Sequence, residues 1–180
     1  FCIYELWYGE TLDMYRLDVI RNPENGLWNA FQRRAFRFLK INFIALEQNI
    51  TIENVSIENT WYNYTKGNKV NCNDDEINSV IEISKRTLKL NTSYHYEDCP
   101  HREQALWIFD MRAMALINYY YYGDAGLVAK NLRQCFATQY DDGSVNSTGP
   151  KRNNCFHLDF CMHLVSAVRE YYGYTGDDAL

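Results

Sequence analysis

The chain has 180 residues and a mass of 21.3 kDa, which suits one ordinary domain or two small ones. Hydrophobic residues make up 47% and aromatic residues 16%, a composition typical of packed globular proteins rather than disordered ones. The net charge of −5, with dispersed Lys and Arg, argues against nucleic acid or an anionic membrane as partner, and no apolar run reaches the ~18 residues of a spanning helix.

The six cysteines form no Cys-x-x-Cys pair and lack the spacing of a disulfide framework. His95, Cys99 and His101 match no standard zinc pattern, so we expect neither a metal nor a cofactor. Reduced thiols slightly favour the cytoplasm, whereas five Asn-x-Ser/Thr sequons are typical of secreted proteins, and the localisation stays open. The chain begins with Phe1 rather than Met, and we expect it to be part of a longer protein.

The N-terminal third has the pattern of β-strands. Apolar and polar residues alternate over 14–20, a turn signal occupies 23–26, and a β-rich run covers 36–44. Residues 50–57 alternate again and are predicted to form a further strand. We therefore expect residues 1–57 to be the end of an antiparallel β-domain.

From about residue 74 the hydrophobic period becomes helical. Residues 74–90 and 124–139 are amphipathic, whereas 103–122 and 157–172 are largely apolar, and a polar loop is expected over 140–150. Half-buried and buried helices thus alternate. Concentric helical toroids produce this alternation, although a plain helical bundle is the alternative.

Three carboxylates surround the start of the apolar segment: Asp98, Glu103 and Asp110. In a helix beginning at 103, positions 103 and 110 lie on nearly the same side, with Trp107 between them. An interior carboxylate is costly unless something binds or pairs with it, and a polar ligand is one such reason. Aromatic side chains supply flat faces for sugar rings, although packing is their commoner role.

The run Asp-Cys-Pro-His-Arg-Glu at 98–103, followed by Asp110, resembles the catalytic signature of the α-L-rhamnosidases of glycoside hydrolase family 78. The segments 34–41, 140–144 and 159–177 are similar to further stretches of that family. The resemblance implies a mainly α fold in which the first hairpins of an (α/α)6 toroid follow the last strands of a β-sandwich. Residues 1–57 would be the end of the accessory sandwich, and 58–180 an incomplete N-terminal part of the six-hairpin catalytic domain.

The resemblance also implies the roles of the site residues. Glu103 matches the general acid, and Asp98 and Asp110 match carboxylates that hold the sugar. Arg102 is expected to hold a carboxylate or reach the substrate, and Trp107 to line the sugar site. A raised pKa suits a proton donor, and a dry site beside other negative charges raises it. The implied partner is a rhamnose-containing oligosaccharide or glycoside.

The same resemblance implies an inverting reaction, in which a base activates water about 6.5–9.5 Å from the acid. The family takes that base from a later hairpin, beyond residue 180, so this chain alone is expected to be inactive. Many members carry Gly-Trp-Thr-Gly-Asp where this chain has Leu-Trp-Ile-Phe-Asp at 106–110. Without the glycines, the backbone and the fit around the sugar are expected to differ.

Simpler interpretations stand beside these roles. Asp98 is also a suitable N-cap ahead of Pro100, and Glu103 in a first helical turn is what the helix dipole favours. Asp110 would be explained by a pair with another helix, whereas Arg112 lies about 160° away around the same helix. His101, His157 and His163 are expected to be structural or rim residues. At the level of function, the alternatives are a non-catalytic carbohydrate-binding relative and a purely structural helical module.

Overall fold

A computed structural model of the protein describes residues 2–22 and 26–180. The chain divides into two compact units, Phe1–Thr60 and Trp61–Leu180, and each is described by itself. The first unit is a sheet with an extended tail, and the second is helical. Their identity as the end of a β-sandwich and the start of a catalytic toroid stays a prediction.

The first unit contains a three-stranded antiparallel sheet. Its strands are β1 (Cys2–Thr11), β2 (Met14–Asn22) and β3 (Phe38–Leu46), in the order β2-β1-β3. The predicted strands at 14–20 and 36–44 are thereby confirmed. The central strand carries Leu6 and Tyr8, which pack with Ile20 of β2 as a small core. The predicted turn at 23–26 falls largely outside the described residues.

The strand predicted at 50–57 is wrong. The whole segment from 51 to 72 lacks regular secondary structure, and Ile52 and Val55 are each more than half exposed. An alternating pattern supplies an apolar face, but a strand also needs a neighbouring backbone to pair with. Within residues 2–22 and 26–180, no strand pairs with this segment.

The second unit contains the predicted amphipathic helices. Helix α1 spans Asp75–Leu90, and Asp74 caps it by accepting the backbone N–H groups of Glu76 and Ile77. The helix predicted at 124–139 is observed as α3, Gly126–Phe136, and is shorter than predicted at both ends. The segment predicted as helical at 157–172 forms α4, Leu158–Thr175, which continues through Gly173 and ends at Gly176 with φ 69°.

The apolar helix begins later than predicted. Helix α2 spans Ile108–Tyr121, so Glu103 lies five residues before it and not in its first turn. Gln104 has φ 53°, a left-handed conformation that no α-helix continues through. Residues Leu106–Trp107 then form a short strand, β4, which pairs antiparallel with β5, Thr148–Gly149. A tertiary contact across the chain therefore overrides the local helical pattern.

The loop predicted as polar at 140–150 is partly interior. Asn146 and Ser147 are fully buried, and Val145 and Thr148 are nearly so. The carbonyl of Ser147 accepts the N–H of Ile108, the first residue of α2, and Thr148 belongs to β5. Polar residues are buried here because their side chains are hydrogen-bonded as well as their backbone: the Asn146 amide donates to the Tyr140 hydroxyl, and Ser147 Oγ accepts the N–H of His157.

The core of the second unit lies where α2 packs against the other three helices. Met111 and Ala115 of α2 meet Leu132 of α3 and Leu164 of α4, all of them buried. The apolar composition of α4 predicts a helix buried on all sides, but the face that points away from α2 is exposed. This face carries a stripe of apolar side chains: Leu158, Met162, Val165 and Tyr172. Among the described residues, no helix is both long enough and apolar enough to span a membrane.

Candidate active site

Residues 98–105 form a loop that closes on itself just before α2. The backbone N–H of Asp98 donates to the carbonyl of Ala105 over 3.1 Å, and one carboxylate oxygen of Asp98, Oδ1, accepts the N–H of Ala105 over 2.9 Å. Asp98 therefore closes a loop and is not the N-cap of α2. Trp107 occupies the cap position of that helix, without a side-chain cap bond.

The interior of this loop fixes the backbone around Glu103. The Glu103 N–H donates to the Cys99 sulfur at 3.4 Å, and the Gln104 amide donates to the Pro100 carbonyl at 2.7 Å. His95 Nε2 lies 3.0 Å from the Gln104 carbonyl, which can only accept, so that nitrogen is the donor. The loop thus presents Glu103 from a hydrogen-bonded turn rather than from a helix.

The side chain of Glu103 has two partners. The indole Nε1 of Trp107 donates to Glu103 Oε2 over 2.7 Å, and Arg102 forms an ion pair with the other oxygen, Oε1. The Glu103 side chain is 31% exposed. It is thus held in place at the surface of the second unit and stays accessible to a ligand.

Asp110 lies in the first turn of α2, half buried. Burial raises its pKa, its own backbone amide lowers it, and the negative charges of Asp98 and Glu103 raise it further. The charges of Asp98 and Glu103 therefore act on the carboxylate of Asp110. Within the described part of the chain, no Lys, Arg or His forms an ion pair with Asp110. Arg112 instead pairs with Glu170 of α4, so an intrahelical pair does not explain Asp110.

Aromatic rings extend from the carboxylates onto α4. The ring of Phe160 lies 5.7 Å from Trp107, edge to face, and 6.0 Å from Phe109, measured between centroids. His157 lies beside both Trp107 and Phe160, at 6.0 and 5.1 Å. Sequence reasoning places His157 at the rim but misses Phe109 and Phe160, because their contact requires two helices about 50 residues apart to pack together.

A polar network crosses from α2 to α4 beside these rings. Arg112 makes several hydrogen bonds to the Glu170 carboxylate, at 2.5 to 3.1 Å, which raise the pKa of the guanidinium. Its Nη1 lies 2.6 Å from His163 Nδ1, and the His163 ring packs edge to face on Phe109 at 4.6 Å. This network ties the two helices together next to the site.

Across residues 2–22 and 26–180, no group of three or more His, Cys, Asp or Glu side chains is arranged to hold a metal ion. The arrangement is a trio of carboxylates, one tryptophan and one arginine. Such a set can accept hydrogen bonds from vicinal hydroxyl groups, pack against the apolar face of a ring, and move a proton.

The second unit is thus a helical domain with a carboxylate cluster at the start of α2, bordered by aromatic rings. Residues 65–180 match the family described as the bacterial alpha-L-rhamnosidase 6 hairpin glycosidase domain. This match covers more than half of the chain, and the chain belongs to that family.

Individual relatives agree with this assignment. An alpha-L-rhamnosidase of Formosa agariphila is 33% identical over 162 residues, which is 83% of this chain and 17% of that protein. The GH78 family rhamnosidase of Bacillus sp. GL1 superposes with a TM-score of 0.79 at 22% identity, covering 99% of this chain and 20% of its own. A Klebsiella oxytoca rhamnosidase with rhamnose bound gives a TM-score of 0.75 at 19% identity, covering 99% of this chain and 39% of its own. This chain therefore spans a minor part of each relative's length.

Proposed function

We propose that this chain is the N-terminal part of the catalytic domain of a glycoside hydrolase that releases terminal α-L-rhamnosyl or related deoxyhexosyl residues. The carboxylates of Asp98, Glu103 and Asp110 carry the proposal, because the first two act on half-buried Asp110 and Trp107 holds Glu103 at the start of the same helix. Membership in the rhamnosidase family and the relative bound to rhamnose supply the substrate class.

In this proposal Glu103 is the general acid. Cleavage of a glycosidic bond requires a proton on a poor leaving-group oxygen, and a carboxyl group held in reach of that oxygen delivers it. The Trp107 N–H holds Glu103 Oε2, and the proton is assigned to the other oxygen, Oε1, which pairs with Arg102 when no substrate is bound. Arg102, whose side chain is 76% exposed, is the cation beside that oxygen.

Asp98 and Asp110 are assigned to the sugar hydroxyls. Asp98 uses Oδ1 to close its loop, and its second oxygen is assigned as the acceptor for a sugar hydroxyl. Asp110 has no cationic partner among the described residues, which leaves its oxygens available for hydrogen bonds from vicinal hydroxyls. The ring of Trp107 supplies an apolar face beside them.

The general base of an inverting reaction is assigned to a part of the protein beyond this chain. Further helices of the same polypeptide would cover the exposed apolar stripe of α4 and complete the toroid, and a β-sandwich would extend the sheet of the first unit. The chain spans 17% of its Formosa agariphila relative, which leaves ample length for these parts. We expect the 180-residue chain alone to be inactive on an aryl α-L-rhamnoside that the full-length protein hydrolyses; equal rates would refute this.

The Glu103→Gln variant of the full-length protein tests the acid. General acid–base catalysis is worth roughly 10²–10⁴-fold, so kcat should fall by about that factor with an unchanged melting temperature. Glu76→Gln, at an exposed position in the first turn of α1, is the matched control and should keep full activity. A wild-type protein that binds rhamnose in a calorimeter but hydrolyses no rhamnoside would favour the non-catalytic carbohydrate-binding alternative.

A further inference from the structure

Phe109 is unusually exposed for an aromatic residue inside an apolar helix. It is the second residue of α2, immediately before Asp110, and 47% of its surface is accessible. Trp107 and Phe109 contact the same ring of α4, that of Phe160, so Phe109 belongs to the patch that also holds Glu103 through Trp107. An exposed ring therefore lies next to the carboxylates.

The orientation of the Phe109 ring is fixed by its contact with His163 of α4. The edge of His163 packs on Phe109 with an interplanar angle of 69°. A guanidinium only donates, so the 2.6 Å contact from Arg112 requires His163 Nδ1 to accept, which defines both the tautomer and the ring direction of the imidazole. Glu170 in turn holds Arg112 through its carboxylate.

We propose that Phe109 determines sugar specificity by contacting the methyl group of a 6-deoxyhexose, and that His163, Arg112 and Glu170 are the positioning residues that hold its ring. The inference rests on the proposed function. A 6-deoxyhexose has hydroxyl groups on one part of its ring and a methyl group where an ordinary hexose has a hydroxymethyl group. The carboxylates suit the hydroxyls, and the exposed phenyl ring suits the methyl.

An apolar contact of this kind gives a measurable but limited preference. Differences of one methylene or one added hydroxyl in a hydrophobic site are worth about 10–200-fold in kcat/KM. The relevant quantity is the ratio of kcat/KM for an aryl α-L-rhamnoside to that for the matching aryl α-L-mannoside. These two substrates differ only by the hydroxyl at C6.

The experiment measures this ratio in the full-length protein and its variants. Phe109→Ala should lower the ratio by about tenfold or more, mainly through a higher KM for the rhamnoside. Phe109→Leu retains an apolar side chain and should lower the ratio less than Phe109→Ala does. The leucine variant serves as the test if the alanine variant does not fold. Phe136→Ala, at an exposed phenylalanine that ends α3, is the matched control and should leave the ratio unchanged.

The positioning residues have their own readout. Glu170→Gln should lower the ratio in the same direction as Phe109→Ala but less, whereas Glu170→Asp should restore part of it. If the Arg112–Glu170 pair only stabilises the fold, Glu170→Gln lowers the melting temperature with an unchanged ratio, which overturns the positioning role.

The outcomes separate this inference from the proposed function. A wild-type protein that hydrolyses the rhamnoside, combined with an unchanged ratio in both Phe109 variants, overturns the specificity role alone. A wild-type protein that hydrolyses neither substrate overturns the proposed function and this inference with it.

Discussion

The indole N–H of Trp107 donates to the Glu103 carboxylate over 2.7 Å, and this bond joins a residue of the 98–105 loop to the residue that caps α2. The carboxylate is therefore positioned by the start of a packed helix although it does not belong to that helix. The hydrogen bond from Trp107 thus fixes the position of Glu103, the proposed acid, without burying it.

Replacing Trp107 with Phe tests this positioning. The substitution keeps an aromatic ring against Phe160 but removes the donor to Glu103. A hydrogen bond to a charged group is worth about 1.5–3 kcal/mol, so kcat of the full-length protein on an aryl α-L-rhamnoside should fall by about ten- to a hundredfold. Trp61→Phe is the control: it removes an indole N–H from a ring that Lys89 covers, and it should leave kcat unchanged. An unaltered kcat in the Trp107 variant would show that Glu103 needs no such partner.

Asp98 should contribute to stability as well as to sugar binding. Asp98→Ala leaves the Ala105 N–H without its acceptor and should lower the free energy of unfolding by about 1–3 kcal/mol, whereas Asp98→Asn keeps an acceptor oxygen and should cost less. Urea denaturation measures both. Asp142→Ala, which removes the acceptor of two hydrogen bonds from Ser144 in an exposed turn, is the control and should cost less than Asp98→Ala. A Asp98→Ala protein as stable as the wild type would contradict the loop-closing role.

Asp110 should make stability depend on pH in a defined direction. Its pKa is raised in the folded state by burial and by Asp98 and Glu103, so the folded state favours the protonated form. Protonated Asp110 therefore contributes to the free energy of unfolding below the pKa of the unfolded state, about 3.9. This contribution is lost as the pH rises through the pKa of Asp110 in the folded state. Asp110→Asn should therefore be more stable than the wild type at pH 7, with an advantage that disappears toward pH 3.

Thermal unfolding of wild type and Asp110→Asn across pH 3–7 measures this difference. Asp75→Asn, in the exposed first turn of α1, is the control for the loss of one negative charge. An Asp110→Asn advantage that grows as pH falls would reverse the expected sign. The same variant should lose activity on a rhamnoside, because an amide is a weaker acceptor for sugar hydroxyls.

The two glycines near the end of α4 should respond in opposite ways to alanine. Gly176 ends the helix with φ 69°, where a Cβ is strained, so Gly176→Ala should destabilise by about 1 kcal/mol. Gly173 is helical and has open space around its missing Cβ, so Gly173→Ala should stabilise by about 0.5–1 kcal/mol. Chemical denaturation compares the two variants, and a shift of equal sign in both would contradict this assignment of the helix end.

Local patterns predicted the elements whose causes are local. Helix α1 follows from its amphipathic period and from Asp74, which caps it. The start of α2 was missed because residues 103–107 are compatible with a helix in isolation. Its true start depends on Gln104 in a left-handed conformation and on Thr148–Gly149, which pair with β4 from about 40 residues away.

Some residues of the candidate site could be predicted from a local motif, whereas others depend on tertiary packing. The signature motif indicated Asp98, Glu103 and Asp110, and in the structure the negative charges of Asp98 and Glu103 raise the pKa of Asp110. The ring of Phe160 and the Glu170–Arg112–His163 network could not be predicted, since they arise from the packing of α4 on α2. A sequence motif gives the charged residues of such a site more readily than the residues that orient them.

The β4–β5 pairing joins the segments that lead into α2 and α4, and it does so through main-chain groups alone. Ties of that kind are indifferent to which side chain a position carries. Side chains around the candidate site are therefore replaceable in principle without moving α2 or α4, because the tie between the segments ahead of these helices does not depend on them.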